Sequence, residues 1–377
     1  MHWMIERAVL DEVQEAILRA VTNDPGPHWI EGYAGTGKTI IVTLALAAVR
    51  KKHPKARICF VTYTHALKDL VASGIDGQAD IFTVDAFVSG TDRYDWVFVD
   101  EVQDIAEPDI LKIQQRGRRV VWAGDPFQSL YHGRVSRERL PELLGTTSWP
   151  LVNIYRYPFK VFKIVSAIYD ADIADGAMVN VDDSVEVHLH RASSRAEEAR
   201  WVWEKAKAVS VLERPAAILF PTHDMVYDFA SEVCLVEGVG VAPTRVQKGR
   251  IVDYSAFNEH FSKRRLPLRF LGSNNGSLPE SDTKKLCYLM TYKSAKGLDF
   301  NSVFVPGLND RMLFEDGKPL SFSRDEWQRK FFFVALTRSR RDLFLSYHGN
   351  PHPYIEEMPK EDIVLSPTPR AASKRRF

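Results

Sequence analysis

Cysteine is scarce in this chain: Cys59, Cys234 and Cys287 are the only three among 377 residues, and none falls in a C-x-x-C spacing. That argues against a disulfide framework and against a zinc site, and makes a reducing cytoplasm the expected compartment. No H-E-x-x-H occurs, and His188 and His190 alternate within what reads as a strand, so they are expected to be structural or surface groups rather than metal ligands. An excess of one charge is missing too. Fifty Lys and Arg against 49 Asp and Glu leave a net charge of +1, so any nucleic-acid surface has to be a local groove. No stretch offers eighteen consecutive apolar residues, and the opening Met1-His2-Trp3-Met4-Ile5-Glu6-Arg7 has no long apolar segment. Neither a membrane-spanning helix nor a signal peptide is expected, and no membrane partner. No internal repeat at a solenoid period is visible.

What is present is the composition of a soluble globular protein, 45% hydrophobic and 26% charged, long enough for two domains with full cores. Apolar strand candidates alternate with helical patterns through residues 28–30, 58–61, 81–84, 96–99 and 120–123, which predicts a parallel sheet covered on both faces. The turn-rich Leu144-Gly145-Thr146-Thr147-Ser148-Trp149-Pro150 breaks the pattern and marks a boundary. Strand candidates resume at 217–220, 268–271, 286–290, 303–305 and 343–345, predicting a second α/β domain. Residues 272–282 form the most loop-like stretch and are expected at the surface. The basic end, Arg370 to Phe377, reads as a mobile tail.

Two segments carry chemistry. Gly32-Tyr33-Ala34-Gly35-Thr36-Gly37-Lys38-Thr39 fits G-x-x-x-x-G-K-[ST], whose glycines let backbone N–H groups turn inward around phosphates. Gly35, Thr36 and Gly37 would line that cradle, Lys38 would neutralise the β and γ phosphates, and the Thr39 hydroxyl would ligate Mg2+. The required context is there: the apolar His28-Trp29-Ile30 precedes and a long helical pattern from Ile40 follows, its N-terminus adding positive dipole. In the second segment, Trp96-Val97-Phe98-Val99 reads as a buried strand delivering Asp100 and Glu101 to its carboxyl end, where ligands of such sheets bind. Asp100 is expected to help hold Mg2+ and Glu101 to polarise the attacking water. ATP hydrolysis is the chemistry this pair predicts.

With these motifs in place, the chain resembles the superfamily 1 helicases of the UvrD, Rep and PcrA group, in the correct order through nearly its whole length. Gln14 looks like that family's adenine-reading glutamine, Asp100-Glu101-Val102-Gln103-Asp104 its D-E-x-Q-D motif, and Gly124-Asp125-Pro126-Phe127-Gln128-Ser129-Leu130-Tyr131 its G-D-x-x-Q-S-[IL]-Y motif, whose glutamine would be Gln128, sensing the γ-phosphate. Asn153-Ile154-Tyr155-Arg156 resembles N-Y-R, and Val334-Ala335-Leu336-Thr337-Arg338 resembles V-[AG]-x-T-R. The resemblance implies Arg156 and Arg338 as arginine fingers and Tyr155 stacked on adenine. Thr291-Tyr292-Lys293-Ser294-Ala295-Lys296-Gly297-Leu298-Asp299-Phe300 resembles T-x-H-x-x-K-G-L-E-F, implying Thr291 and Ser294 on DNA phosphates and Gly297 and Asp299 on the nucleotide. Tyr63 and Thr64, and then Thr83, match its DNA-contact motifs, with Tyr63 as a stacking platform.

The family fold this implies is two tandem RecA-like P-loop domains with parallel sheets, an ATP-binding domain at 1–150, a second at 151–365 and a basic tail at 366–377. ATP and Mg2+ would sit between the domains, with single-stranded or tailed duplex DNA across their tops. Departures are specific. Only eight residues join Phe87 to Trp96, where the family carries a long helical arm; little room exists between Arg156 and Thr291 for its second inserted subdomain. Tyr131-His132-Gly133-Arg134 lacks the family's tryptophan, Ile154 stands in place of an asparagine, Lys293 of a histidine and Asp299 of a glutamate. Two functions follow: a motor translocating on single-stranded DNA, 3′ to 5′, that acts as a helicase alone or with a protein partner; or a nucleic-acid-stimulated ATPase switch that signals to a partner without unwinding. RNA is a lesser alternative, and a small-molecule kinase would leave Arg156 and Arg338 unexplained.

Overall fold

Two parallel sheets order the chain in a computed structural model that describes residues 9–366 apart from 25, 76, 130–133, 170–184, 244–245, 249–250, 273–275 and 311–323. The Met1–Arg7 opening, the Tyr131–Gly133 segment and the basic tail beyond Ser366 therefore lie outside the described residues. The first sheet comprises β1 (His28–Gly32), β2 (Ile58–Thr62), β3 (Asp80–Thr83), β4 (Trp96–Val99), β5 (Val120–Gly124) and β6 (Ser148–Leu151), in the order β3-β2-β4-β5-β1-β6. The second comprises β7 (Val187–Ala192), β8 (Ala216–Phe220), β11 (Leu268–Phe270), β12 (Cys287–Thr291), β13 (Phe300–Val305), β14 (Ser339–His348) and β15 (Ile363–Ser366), in the order β11-β12-β8-β13-β14-β7-β15. A separate hairpin pairs β9 (Val246–Lys248) with β10 (Ile251–Asp253).

Strands β2, β4, β5, β8 and β12 are buried at every position. Such uninterrupted apolar runs fit a parallel sheet with helices on both faces, because neither side of the strand meets water. One face of the first sheet packs Phe60 and Phe98 against Ile41 and Leu46 of helix α2 (Lys38–Lys52), and its other face buries Trp29, Val97 and Trp122. In the second sheet Ile218 and Phe304 pack against Trp203 on one side, while Val303 and Leu345 share the other with Phe332. That last cluster also takes in Ala34 and Ala66 from the first half of the chain, so the two sheets are joined by apolar packing at the edge of the phosphate loop.

Three readings change. The expected boundary at 144–150 contains a sixth strand: β6 pairs in parallel with β1 through Trp149 and Pro150. Proline is tolerated because β6 is an edge strand whose outer side needs no N–H donor. Val84, expected to extend a strand, instead begins the helix Val84–Ser89, because Thr83 caps that helix by accepting from the Ala86 N–H at 3.4 Å. Within the loop-like 272–282 stretch, Leu278 and Ser281 are buried, the former in the second sheet's core. All three cysteines are buried and free, and His188 and His190 stack on Phe344 and Trp201. Among the described residues no helix is long and apolar enough to cross a membrane.

Candidate nucleotide site and strand path

The phosphate loop leaves β1 at its carboxyl end and runs straight into α2. Gly35 and Gly37 take φ of +84° and +87°, the left-handed region that a glycine reaches without a Cβ penalty. A Cβ on Gly35 would lie 2.6 Å from that of Arg156, so the loop backbone rests directly on the segment following β6. Thr36, within the loop, is buried, and its hydroxyl donates to the Tyr33 carbonyl at 2.9 Å. Lys38 donates from Nζ to the Gly32 and Tyr33 carbonyls at 2.7 and 2.9 Å. Burial pulls its ammonium below the usual lysine range, against the opposing pull of Asp125, Glu101 and Asp100.

Next to the loop, the Thr39 hydroxyl donates to Asp100 Oδ2 at 2.6 Å. Burial, then the neighbouring Glu101 charge, pushes the Asp100 carboxyl up to about 6. Glu101 occupies a left-handed conformation at φ 61°, which is costly for a residue with a Cβ and common where backbone strain serves a site. Its carboxylate accepts from Gln103 Nε2 at 2.5 Å, while Gln103 Oε1 accepts from the Asp125 N–H at 2.9 Å. Burial raises the Glu101 carboxyl, but Lys296, Lys38 and Gln103 overcome it and leave the group below the usual carboxylate range.

The opposite wall is cationic. Arg338 is buried and donates from Nη2 to Gln128 Oε1 at 3.3 Å and from Nε to the Val334 carbonyl at 2.8 Å. Burial, with Arg156 adding repulsion, draws its guanidinium down to about 9. Lys296, also buried, crosses between the sheets: Nζ lies 2.5 Å from Asp104 Oδ2, 3.7 Å from Glu101 Oε2 and 2.6 Å from the Gln128 carbonyl oxygen. Arg156 Nε meets Asp299 Oδ2 at 2.9 Å, and Arg340 Nε meets Asp299 Oδ1 at 2.7 Å. Burial raises the Asp299 carboxyl, and the two arginines more than reverse that, leaving it low.

Gly35, Gly37, Lys38, Thr39, Glu101, Gln128, Arg156, Gly297, Asp299 and Arg338 thus line one cleft. Gln14 and Tyr155 do not. Gln14 is the third residue of the helix α1 (Glu12–Asn23), where its Oε1 accepts from the Asp11 N–H at 3.1 Å and its Nε2 donates to the Thr36 carbonyl at 3.1 Å. It braces the loop from below. Tyr155 is exposed, its hydroxyl on Asp11 beside Asn153, while Ile154 in the same motif is buried in the second sheet's core.

The expected strand-contact residues gather at the carboxyl ends of β2, β3 and β12. Tyr63 is half-buried and accepts from Arg134 Nη2 at 3.3 Å. The hydroxyls serve local turns. Thr64 caps the helix α3 (His65–Ile75) by accepting from the Leu67 N–H at 3.2 Å, and Thr83 caps its own helix as above. Thr291 Oγ1 accepts from the Ser294 N–H at 3.1 Å and lies 2.9 Å from Ser294 Oγ. Thr83 and Thr291 are buried, whereas Thr64 and Ser294 are partly exposed.

Motif reading assigned no role to Gln103, Asp104, Lys296 or Arg340. The first three stood within quoted motifs, which was the available signal. Nothing in the spacing announced Arg340.

A phosphate loop at one sheet, a carboxylate pair on a neighbouring strand and arginines from a second parallel sheet define a class: a nucleotide-binding protein of tandem RecA-like domains. Residues 267–350 match the UvrD-like helicase C-terminal domain, and residues 9–160 match an AAA domain. An ATP-dependent DNA helicase Rep from Buchnera aphidicola (subspecies Schizaphis graminum) is 33% identical over 91 residues, 21% of this chain and 14% of that relative. An ATP-dependent DNA helicase PcrA from Staphylococcus epidermidis is 30% identical over 122 residues, 26% of this chain and 16% of its own. Over residues 267–350 the chain is therefore similar to the C-terminal domain of UvrD-like helicases, and the aligned segment spans about one seventh of the length of that Rep relative. Among solved structures, arterivirus nonstructural protein 10, a helicase, aligns over 88% of this chain and 61% of its own at 15% identity, with a TM-score of only 0.41.

Proposed function

We propose that this protein is an ATP-driven motor that translocates on single-stranded DNA in the 3′ to 5′ direction and acts as a DNA helicase. The observation that carries the reading is the wiring of Gln128. Its side chain accepts from Arg338 and donates to Asp125, and its carbonyl accepts from Lys296, so a change at the γ-phosphate position reaches both sheets at once. Hydrolysis and relative movement of the sheets are thereby coupled.

In this reading residues 1–150 and 151–365 are the two moving bodies. Lys38 leaves its carbonyls for the β and γ phosphates, Gln14 and Tyr155, which meet around Asp11 outside the cleft lining, would take an adenine extending beyond it, and Arg156 and Arg338 stabilise the charge that develops on the transferred phosphoryl group. Thr39 and Asp100 fit Mg2+: they are adjacent hard oxygen donors beside the loop, and Mg2+ typically takes one or two protein oxygens and completes its shell with phosphates and water. No cluster of three or more acidic, His or Cys side chains able to hold a metal occurs among the described residues, which suits a metal shared with the nucleotide. The ion would neutralise phosphate charge. Glu101, held by Gln103, would orient the attacking water and receive its proton. Tyr63 supplies a stacking face for the strand, with Thr64, Thr83, Thr291 and Ser294 along its path.

One observation favours a second reading, a DNA-stimulated ATPase switch acting with a protein partner: only six residues separate the helix ending at Ser89 from β4, leaving no inserted arm there to engage a duplex. ATP hydrolysis with and without single-stranded DNA, run beside displacement from a 3′-tailed duplex, separates the two. Stimulation with displacement supports the motor; stimulation alone supports the switch; neither overturns both. Lys38→Ala should cut hydrolysis by roughly 100-fold or more with the fold intact, and Glu101→Gln should bind ATP and DNA without turnover.

A further inference from the structure

Asp299 is one carboxylate with two arginines on it. Its Oδ2 holds Arg156 at 2.9 Å and its Oδ1 holds Arg340 at 2.7 Å, each through Nε. The three residues come from separate places: Arg156 follows β6, Asp299 precedes β13, and Arg340 is the second residue of β14. All three line the nucleotide cleft. Arg156 stands against the phosphate loop at Gly35, so its guanidinium can pass from Asp299 to a bound phosphate by side-chain rotation.

We propose that Arg340 is a positioning residue that frees Arg156 for the nucleotide. This rests on the site proposed above. When Arg156 turns to phosphate, Asp299 loses one of its counter-ions while more negative charge arrives beside it. A half-buried carboxylate without a partner opposes that step. Arg340 keeps Asp299 neutralised throughout, so the exchange leaves no bare charge. Arg340 acts through Asp299 and touches no reacting atom.

The test is steady-state ATPase kinetics on the full chain. Arg340→Gln should lower kcat roughly tenfold while moving KM for ATP by less than about twofold, because Arg156 stays locked on Asp299 in the transition state. Arg340→Lys, which keeps the charge, should retain most of kcat. The decisive variant is Arg340→Gln combined with Asp299→Asn: removing the carboxylate's charge releases Arg156, and kcat should recover toward that of Asp299→Asn alone. A merely structural role for Arg340 would make this double change worse than either single one. Unchanged kcat in Arg340→Gln, or a double variant no faster than Arg340→Gln, overturns the proposal. Lys38→Ala in the same series separates the two readings: if it abolishes hydrolysis while Arg340→Gln does nothing, only the role of Arg340 fails, whereas if it leaves hydrolysis intact the site itself is wrong.

Discussion

The two sheets bring opposite charge to their shared cleft. From the first come Asp100, Glu101, Asp104 and Asp125, all buried, with Lys38 as the cation among them. From the second sheet, and from the segment leading into it, come Lys296, Arg156, Arg338 and Arg340, with Asp299. A chain with a net charge of +1 is therefore strongly polarised where its halves meet. Balance over the whole molecule says nothing about a site assembled from two walls of opposite sign. The arrangement also teaches why such a cleft is sensitive to its ligand. If the proposed site takes a triphosphate, the nucleotide would compete with the first wall's carboxylates for the second wall's cations, and binding would redistribute the ion pairs that hold the walls together.

If that pairing binds the halves, Lys296→Met should give the largest loss of stability. Lys296 and Asp104 are both buried, and removing the lysine leaves Asp104 and Glu101 without their shared cation. Breaking a buried pair from one side costs about 3–5 kcal/mol, read as the shift in urea unfolding of the whole chain. Adding Asp104→Leu to Lys296→Met should recover most of it. A loss under about 1 kcal/mol would mean the walls are held by the apolar packing around Ala34 and Ala66 alone.

Gly35→Ala comes next and addresses contact between the walls rather than charge. Alanine at φ +84° costs roughly 1–2 kcal/mol for conformation alone. Here it also drives a Cβ to 2.6 Å from Arg156. Gly145→Ala is the control, since that residue has φ +68° with nothing within 4 Å of the added atom. Both variants should lose similar stability from the backbone, and only Gly35→Ala should raise KM for ATP. Equal KM values would show that the loop does not depend on its seat against Arg156.

Much of the first wall was legible because its motifs are contiguous. Lys38, Thr39, Asp100 and Glu101 declare themselves through a strand, a glycine turn and a helix in sequence order. The second wall depends on long-range pairing. Lys296 was visible as a motif lysine, but its partner Asp104 lies 192 residues away, and no local pattern encodes which carboxylate it meets. Arg340 belongs to no motif, and its significance appears only when β14 brings it beside the loop carrying Asp299. β6 was missed for a different reason: Gly145, Trp149 and Pro150 signal a turn locally, and pairing with β1 overrides that signal at an edge where Pro150 loses no needed bond. The cap-forming hydroxyls of Thr64 and Thr83 show the same limit, because a threonine at a strand end looks alike in sequence whether it caps a helix or faces a strand of DNA.

Thr64→Ala sharpens that ambiguity with a smaller effect. Loss of its cap on α3 should cost about 1 kcal/mol. Thr64→Asn retains a capping oxygen, so if Thr64 also contacts DNA, the asparagine variant should keep stability while weakening single-stranded DNA binding. Equal affinity in the two proteins would confine Thr64 to the cap.

The smallest predicted effect concerns acid that the second sheet keeps outside the cleft. Glu198 is buried in the helix Arg195–Val209, where Oε1 accepts from the Gly307 N–H and from Ser346 Oγ, both at 2.7 Å, and Oε2 accepts from His348 Nδ1 at 2.5 Å. The hydrogen bond to Glu198 raises the His348 imidazole above its ordinary value, against partial burial. A raised folded-state value means that the protonated histidine is bound more tightly in the folded chain. Its stabilisation is fully present below the unfolded-state value and is lost as pH rises through the folded one. His348→Gln keeps a donor without the titrating charge. The melting-temperature difference between the native chain and His348→Gln should therefore be largest at pH below the ordinary histidine value of about 6.5 and shrink as pH rises above it. A difference that stays constant across that range would show that Glu198 is held by neutral hydrogen bonds alone. In that case this buried acid would add no charge-dependent tie outside the cleft, and the contrast with the first wall would rest on ion pairs such as Arg340 with Asp299.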